Sequence, residues 1–167
     1  MKEIKLTQGY VTKVDEVDYP ALSKFKWYTY KTKREVYAVR NLACNEFGYR
    51  KGFRTKIRMH RQILGLSCAL PDVDHWDGDG LNNQRDNLRL CTRQQNLQNR
   101  RSAIGSASKY TGIEHKQNGQ WRARILIDDV RKSLGCYSTE LEAALVRDRY
   151  IIDNNLNFFR LNILAHP

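Results

Sequence analysis

The chain has 167 residues, enough for one ordinary domain or two small modules, and its 41% hydrophobic content allows only modest cores. Lysine and arginine outnumber aspartate and glutamate by 29 to 18, a net charge of +11. That balance points to a polyanionic partner, with nucleic acid ahead of an acidic membrane surface. No apolar run approaches the ~20 residues that cross a bilayer. The N-terminus, Met1 to Gln8, lacks the apolar stretch of a signal peptide. Cys44, Cys68, Cys91 and Cys136 form no Cys-x-x-Cys pair, which sets aside zinc ribbons and secreted disulfide frameworks. The expectation is a cytoplasmic protein with free, mostly buried thiols and no membrane partner. Its positive charge is spread along the chain, which suits a long contact track better than a basic tail.

Residues 3–58 read as β-rich. Ile4-Lys5-Leu6 and Tyr10 to Val14 are short alternating runs, and Trp27 to Tyr30 and Val36 to Val39 flank a polar turn from Lys31 to Arg34. Tyr19-Pro20-Ala21-Leu22-Ser23-Lys24-Phe25 predicts a short helix with proline in its first turn. Another strand is expected around Phe53 to Ile57, then a helix from Met59 to Leu64 that stops at Gly65.

The most informative stretch runs from Val73 to Asn96. Pro71 keeps the lead-in to His75 extended, Asp77-Gly78-Asp79-Gly80 forces a loop, and Asn87 to Cys91 alternates as a strand. Thr92-Arg93-Gln94-Gln95 is a capping box that starts a helix near Arg93. Strand, loop, strand and helix thus bring together one proton acceptor and two oxygen ligands. A neutral imidazole with an ordinary pKa near ~6.5 suits proton abstraction from water. A carboxylate with an amide oxygen suits Mg²⁺ or Mn²⁺ better than Zn²⁺. Asp77 and Asp79 read as turn residues, since no glycine falls at the sixth position and no glutamate closes a calcium loop.

Asp74-His75, Asn87 and Asn96, with the flanking Asn-Leu-Arg-Leu-Cys-Thr, resemble the H-N-N form of the HNH nuclease motif over about residues 53–101. The resemblance implies a ββα-metal fold in which His75 is the general base and Asp74 and Asn96 hold one divalent cation. Asn87 would brace the loop and orient His75. It also implies double-stranded DNA as substrate and products with 5′-phosphate and 3′-hydroxyl ends. A monomer would nick, and a double-strand break would need a dimer or two binding events. His60 is expected to be structural, and Asn99 to share the face of Asn96.

Arg101 to Ser108 reads as a linker. Beyond it, Gly112-Ile113, Gln120 to Ile127 and Lys132 to Tyr137 read as strands, with Asn118-Gly119 and Asp128-Asp129 as turns. Thr139-Glu140-Leu141-Glu142 is a second capping box, opening a helix whose inward face is expected to carry Leu141, Ala144, Leu145, Asp148, Ile151 and Ile152. Lys109-Tyr110-Thr111-Gly112-Ile113, Gln120 to Ile125, Leu134 to Thr139 and Glu142-Ala143-Ala144 resemble an AP2 DNA-binding domain over about residues 108–162. The resemblance implies a three-stranded sheet laid in the major groove. Alternation turns Trp121, Ala123 and Ile125 to the helix and Arg122 and Arg124 to DNA, with Lys116, Gln120, Arg131 and Lys132 on the same surface. Thr111, Glu114 and Ser133 replace arginine, arginine and tryptophan of the plant pattern, so its base contacts do not carry over.

The expectation is therefore an α+β protein: a β-rich region 1–52, a nuclease core 53–101, a linker 102–107 and an AP2-like domain 108–162. Its expected function is that of a homing-type HNH endonuclease using Mg²⁺ or Mn²⁺. The alternative is an AP2-type DNA-binding regulator with a vestigial nuclease fold. No aromatic-studded RNA-recognition sheet is visible.

Overall fold

The alternating runs at the N-terminus pair as an antiparallel hairpin of β1 (Lys2–Lys5) and β2 (Val11–Val14), with Ile4, Thr12 and Val14 turned inward. This is seen in a computed structural model that describes residues 1–33, 35–43, 46, 56–66, 71–102 and 105–164. Pro20 opens α1 (Tyr19–Leu22), and the Leu22 carbonyl accepts the buried Trp27 indole N–H at 2.9 Å. β3 (Tyr28–Lys31), β4 (Val36–Asn41) and β5 (Lys56–Arg58) form an antiparallel sheet in that order. α2 (Met59–Ile63) follows β5 directly, and Gly65 leaves it with φ +67°. Arg34, the first residues of the strand expected from Phe53, Cys44, Cys68, Leu70, His166 and part of the linker lie outside the described residues.

β6 (Asp72–His75) and β7 (Leu88–Cys91) make a two-stranded ribbon, entered from a 3-10 turn at Arg85–Asn87 and left into α3 (Arg93–Gln98). Two compact units emerge, residues 1–93 and 94–167. Residues 1–52 do not stand apart from the β6–β7 ribbon. One core joins Ile4, Leu6, Val14, Leu22 and Trp27 to Met59, Ile63, Val73 and Leu88. Polar ties reinforce it. Arg85 donates to both Asp18 oxygens at 2.7 and 2.8 Å, and its backbone N–H donates to Asp15 at 2.7 Å.

In the second unit, β8 (Ile113–His115), β9 (Trp121–Ile127) and β10 (Val130–Tyr137) form an antiparallel sheet in the order β10-β9-β8. Asp128 and Asp129 both take positive φ, which gives the β9–β10 hairpin a two-residue turn of the right twist. α4 (Glu140–Asp153) packs on the sheet, and the Thr139–Glu142 capping box forms in both directions. One expectation for α4 is corrected. Its buried residues are Ala143, Ala144, Arg147, Asp148 and Ile151, whereas Leu141 stays 50% exposed. The two alanines let the helix backbone approach the sheet, and the chain after α4 folds back over the next turn. There Asp148, fully buried, accepts the backbone N–H groups of Asn162, Ile163 and Leu164 at 2.6–3.1 Å. Arg147 donates to the Arg160 carbonyl at 2.9 Å, and burial pushes its guanidinium pKa down to about 10.

Candidate active site

Antiparallel pairing sets His75 opposite Leu88 and Asp74 opposite Arg89. Successive strand residues point to opposite faces, so the two neighbours have separate surroundings. His75 turns into the first unit and is only 5% exposed. Its ring lies 4.9 Å from the His60 ring, edge-on, and 6.0 Å from Tyr37. Burial is the main influence on its imidazole and lowers the pKa from the ordinary 6.5. The Asn83 hydrogen bond and the charges of Asp77, Asp74 and Asp79 pull it partly back. His60 is lowered further, by burial first and then by His75, Arg58 and Arg61. Both imidazoles are therefore neutral at pH 7, the form in which a histidine accepts a proton. The hydrophobic and aromatic walls supply that neutrality.

The loop from Trp76 to Gln84 is held almost entirely by short polar bonds. The Asn87 side chain accepts the Asp77 N–H at 3.0 Å, and its amide donates to the Asp77 carboxylate at 3.0 Å and to the Asn82 carbonyl at 2.8 Å. The Asn87 carbonyl accepts the Trp76 N–H at 2.9 Å. Asp77 also accepts the Asp79 N–H and the Asn82 amide, at 2.8 and 2.7 Å, and Asp79 accepts the Leu81 N–H at 3.0 Å. These aspartates serve as turn residues. A Cβ on Gly80 would stand 2.4 Å from the Val36 carbonyl oxygen, so only glycine lets the loop close against β4.

Asn87 thus braces the loop, but the amide beside the His75 ring belongs to Asn83. Its Oδ1 lies 3.4 Å from His75 Nε2, a long contact, and its Nδ2 donates to Thr12 Oγ1 at 2.8 Å. Sequence reasoning missed Asn83 and Thr12, which are 71 positions apart and both fully buried. It also passed over Arg89. The Asp74 carboxylate, on the other face of β6, takes Arg89 Nε at 2.8 Å and Nη2 at 2.7 Å through Oδ2. Arg89 in turn lies 5.3 Å from the ring of the exposed Trp76. Asn96 sits half-buried on α3, in the second unit, and Asn99 is buried one turn on.

The donor chemistry fits a hydrated divalent cation. Asp74 already attracts a cationic group, and its carboxylate, like the amide of Asn96 on α3, offers an oxygen donor. Magnesium keeps several waters and takes one or two carboxylates, so it needs no larger cage. Among the described residues no cluster of three or more His, Cys, Asp or Glu side chains could hold a metal, as a zinc centre would require.

The C-terminal sheet presents a different kind of surface. Ala123 and Ile125 face α4, which leaves Arg122, Arg124 and Leu126 on the opposite side. Glu114 lies beside both arginines: it accepts from Arg122 Nε and Nη2, and Arg124 Nη1 stands 3.8 Å away. The Arg122 bond, foremost, holds the Glu114 carboxyl below its ordinary pKa. Arg131 is exposed opposite Leu126 and shares that face. Lys132 does not. It stands opposite Ile125 on the helix side and donates to the Tyr150 hydroxyl at 3.0 Å. Neighbours on a strand cannot share a face, which separates Lys132 from Arg131. Lys116 and Gln120 flank the Asn118-Gly119 turn, bonded backbone to backbone at 2.8 Å.

A family model described as HNH endonuclease matches residues 71–98, the segment that carries β6, the loop, β7 and α3. An uncharacterised HNH endonuclease of Acanthamoeba polyphaga mimivirus is 29% identical over 133 residues, covering 77% of this chain. The chain spans 62% of the length of that relative. No solved structure matches. The family match and the relative point to a nuclease. No helix among the described residues is long and apolar enough to cross a membrane.

Proposed function

We propose that the protein is a metal-dependent DNA endonuclease of the HNH homing type. The observation that carries the reading is the buried, neutral His75 beside the braced loop, with Asp74 next to it in sequence, inside the segment that matches the HNH family. His75 takes a proton from water as the water oxygen attacks phosphorus. The bond from phosphorus to the 3′-oxygen breaks, that oxygen is protonated by solvent, and the ends are 5′-phosphate and 3′-hydroxyl. Asp74 and Asn96 would hold Mg²⁺ or Mn²⁺, which would supply Lewis-acid stabilisation of the phosphate and leaving-oxygen charge. Asn87 keeps the loop from springing away from β7 and so holds the strand end that presents His75.

Arg122, Arg124 and Arg131, with Lys116 and Gln120 at the sheet's turn, contribute DNA contacts in an AP2-like domain. Lys132 belongs to the helix packing. Double-stranded DNA is the partner, and a single chain makes one nick.

A second reading keeps DNA binding and drops cleavage, leaving a regulator with a vestigial nuclease fold. The 5% exposure of His75 is the observation in its favour, since a base must meet water. Supercoiled plasmid incubated with Mg²⁺, then with EDTA in its place, separates the two. The nuclease converts it to open circles only with the cation. Binding with no conversion under either condition assigns the regulator.

A further inference from the structure

The buried polar chain that starts at Thr12 has one consistent direction of donation. Thr12 Oγ1 lies 2.7 Å from the Leu81 carbonyl oxygen, and its remaining neighbour besides Asn83, Met59 Sδ, lies 3.8 Å away. Both can only accept, and a hydroxyl has a single proton. The Thr12 proton therefore goes to Leu81, and the 2.8 Å contact with Asn83 must have the amide nitrogen as donor. The Gly80 carbonyl, 3.5 Å from that same nitrogen, asks for the same orientation. An asparagine amide can otherwise be drawn either way round, and here its neighbours settle which. Its oxygen is left facing His75 Nε2, and an amide oxygen only accepts.

We propose that Thr12 is a positioning residue: through Asn83 it holds the proton of neutral His75 on Nε2, so that Nδ1 carries the lone pair that accepts a proton from water. The tautomer is thereby set by the N-terminal hairpin. Backbone bonds lock the hairpin in place: Lys13 N–H donates to the Leu81 carbonyl at 2.9 Å and Asn83 N–H to the Lys13 carbonyl at 2.8 Å. Thr12 and Asn83 are 0% and 1% exposed, so water cannot substitute for either partner. The catalytic part of this inference rests on the nuclease reading; the tautomer does not.

The test is a long-range ¹H–¹⁵N spectrum of the full-length ¹⁵N-labelled protein above pH 7, which distinguishes the protonated ring nitrogen of His75 from the one with the lone pair. Wild type is expected to show the Nε2–H form. Thr12→Val is expected to admit the Nδ1–H form and to slow single-turnover nicking about ten-fold, less than the 10²–10⁴ loss that removing a general base brings. KM should stay unchanged. Thr12→Ser should restore both readouts. Adding Asn83→Asp to Thr12→Val should restore the Nε2–H form, because a carboxylate accepts from Nε2 whatever stands at position 12. An Nδ1–H wild-type spectrum overturns the proposal, and so does a folded Thr12→Val protein that keeps the pure Nε2–H form. If Thr12→Val does not fold, Thr12→Ala makes the same comparison, and a folded Thr12→Ala protein that keeps the pure Nε2–H form overturns the proposal in the same way. An Nε2–H spectrum from a protein that cleaves no DNA leaves the tautomer standing and removes the nuclease reading.

Discussion

The loop between β6 and β7 and the outward face of the C-terminal sheet are both polar, but they use polarity in opposite ways. The loop commits its side chains to fixed bonds: the Asn87 amide makes three, the Asp77 carboxylate accepts from Asp79, Asn82 and Asn87, and Asn83 is sealed from water. The sheet face keeps its arginines between a third and two fifths exposed, balanced by Glu114. A buried network has one geometry, since every broken bond leaves an unsatisfied group. An exposed ion pair contributes little and reorganises easily. The difference matches the proposed tasks, one group to be held still and one surface to adapt to DNA.

If that contrast is right, substitutions of equal chemical size should differ sharply between the regions. Asn83→Leu should cost about 2–4 kcal/mol of folding stability, because it removes from the buried network the amide that donates to Thr12 Oγ1 and faces His75 Nε2. Urea denaturation measures it, and a loss comparable to that of a surface substitution would mean the network is not cooperative.

The next effect concerns pH. His60 has a folded pKa well below 6.5, mainly through burial. The unfolded chain takes up its proton near ~6.5 while the folded chain refuses it. Stability from this group is therefore complete above pH ~6.5 and lost as pH falls below it, with a slope approaching ~1.4 kcal/mol per pH unit. Repeating the denaturation series in His60→Gln should flatten that slope. An unchanged slope would place the titration elsewhere.

The smallest effect is expected on the sheet. Glu114→Gln should change stability by no more than about 0.5 kcal/mol. It should nevertheless tighten DNA binding by releasing Arg122 and Arg124. Arg122→Ala should make the logarithm of affinity depend less steeply on that of salt, by about one unit of slope. A stability loss at Glu114 as large as that at Asn83 would erase the distinction between the regions.

These two regions also differ in how far the sequence foretells them. The order of strands and helices is legible because its signals are local. Pro20 marks α1, Gly65 ends α2, Asp128-Asp129 sets the last hairpin, and Thr139 with Glu142 opens α4. Asp74, His75, Asn87 and Asn96 stand out as a spaced set. What stays hidden depends on distant partners. Asn83 looks like any loop asparagine until Thr12 arrives from the far end of the unit, and Asp148 breaks an apolar stripe until the chain after α4 brings it three backbone donors. The inward place of Arg147 follows from the same return of the chain, whose Arg160 carbonyl accepts its guanidinium. Lys132 is separated from Arg131 by hairpin register, which pairs it with Ile125. Composition alone cannot supply that.

The central claim is that the His75 imidazole is the base for phosphodiester hydrolysis. Single-turnover nicking of supercoiled plasmid at saturating protein and Mg²⁺, wild type against His75→Ala, tests it most directly when DNA binding is measured alongside. The account predicts a rate lower by about 10²–10⁴ with binding within a few-fold of wild type. Nicking by His75→Ala at the wild-type rate would contradict it.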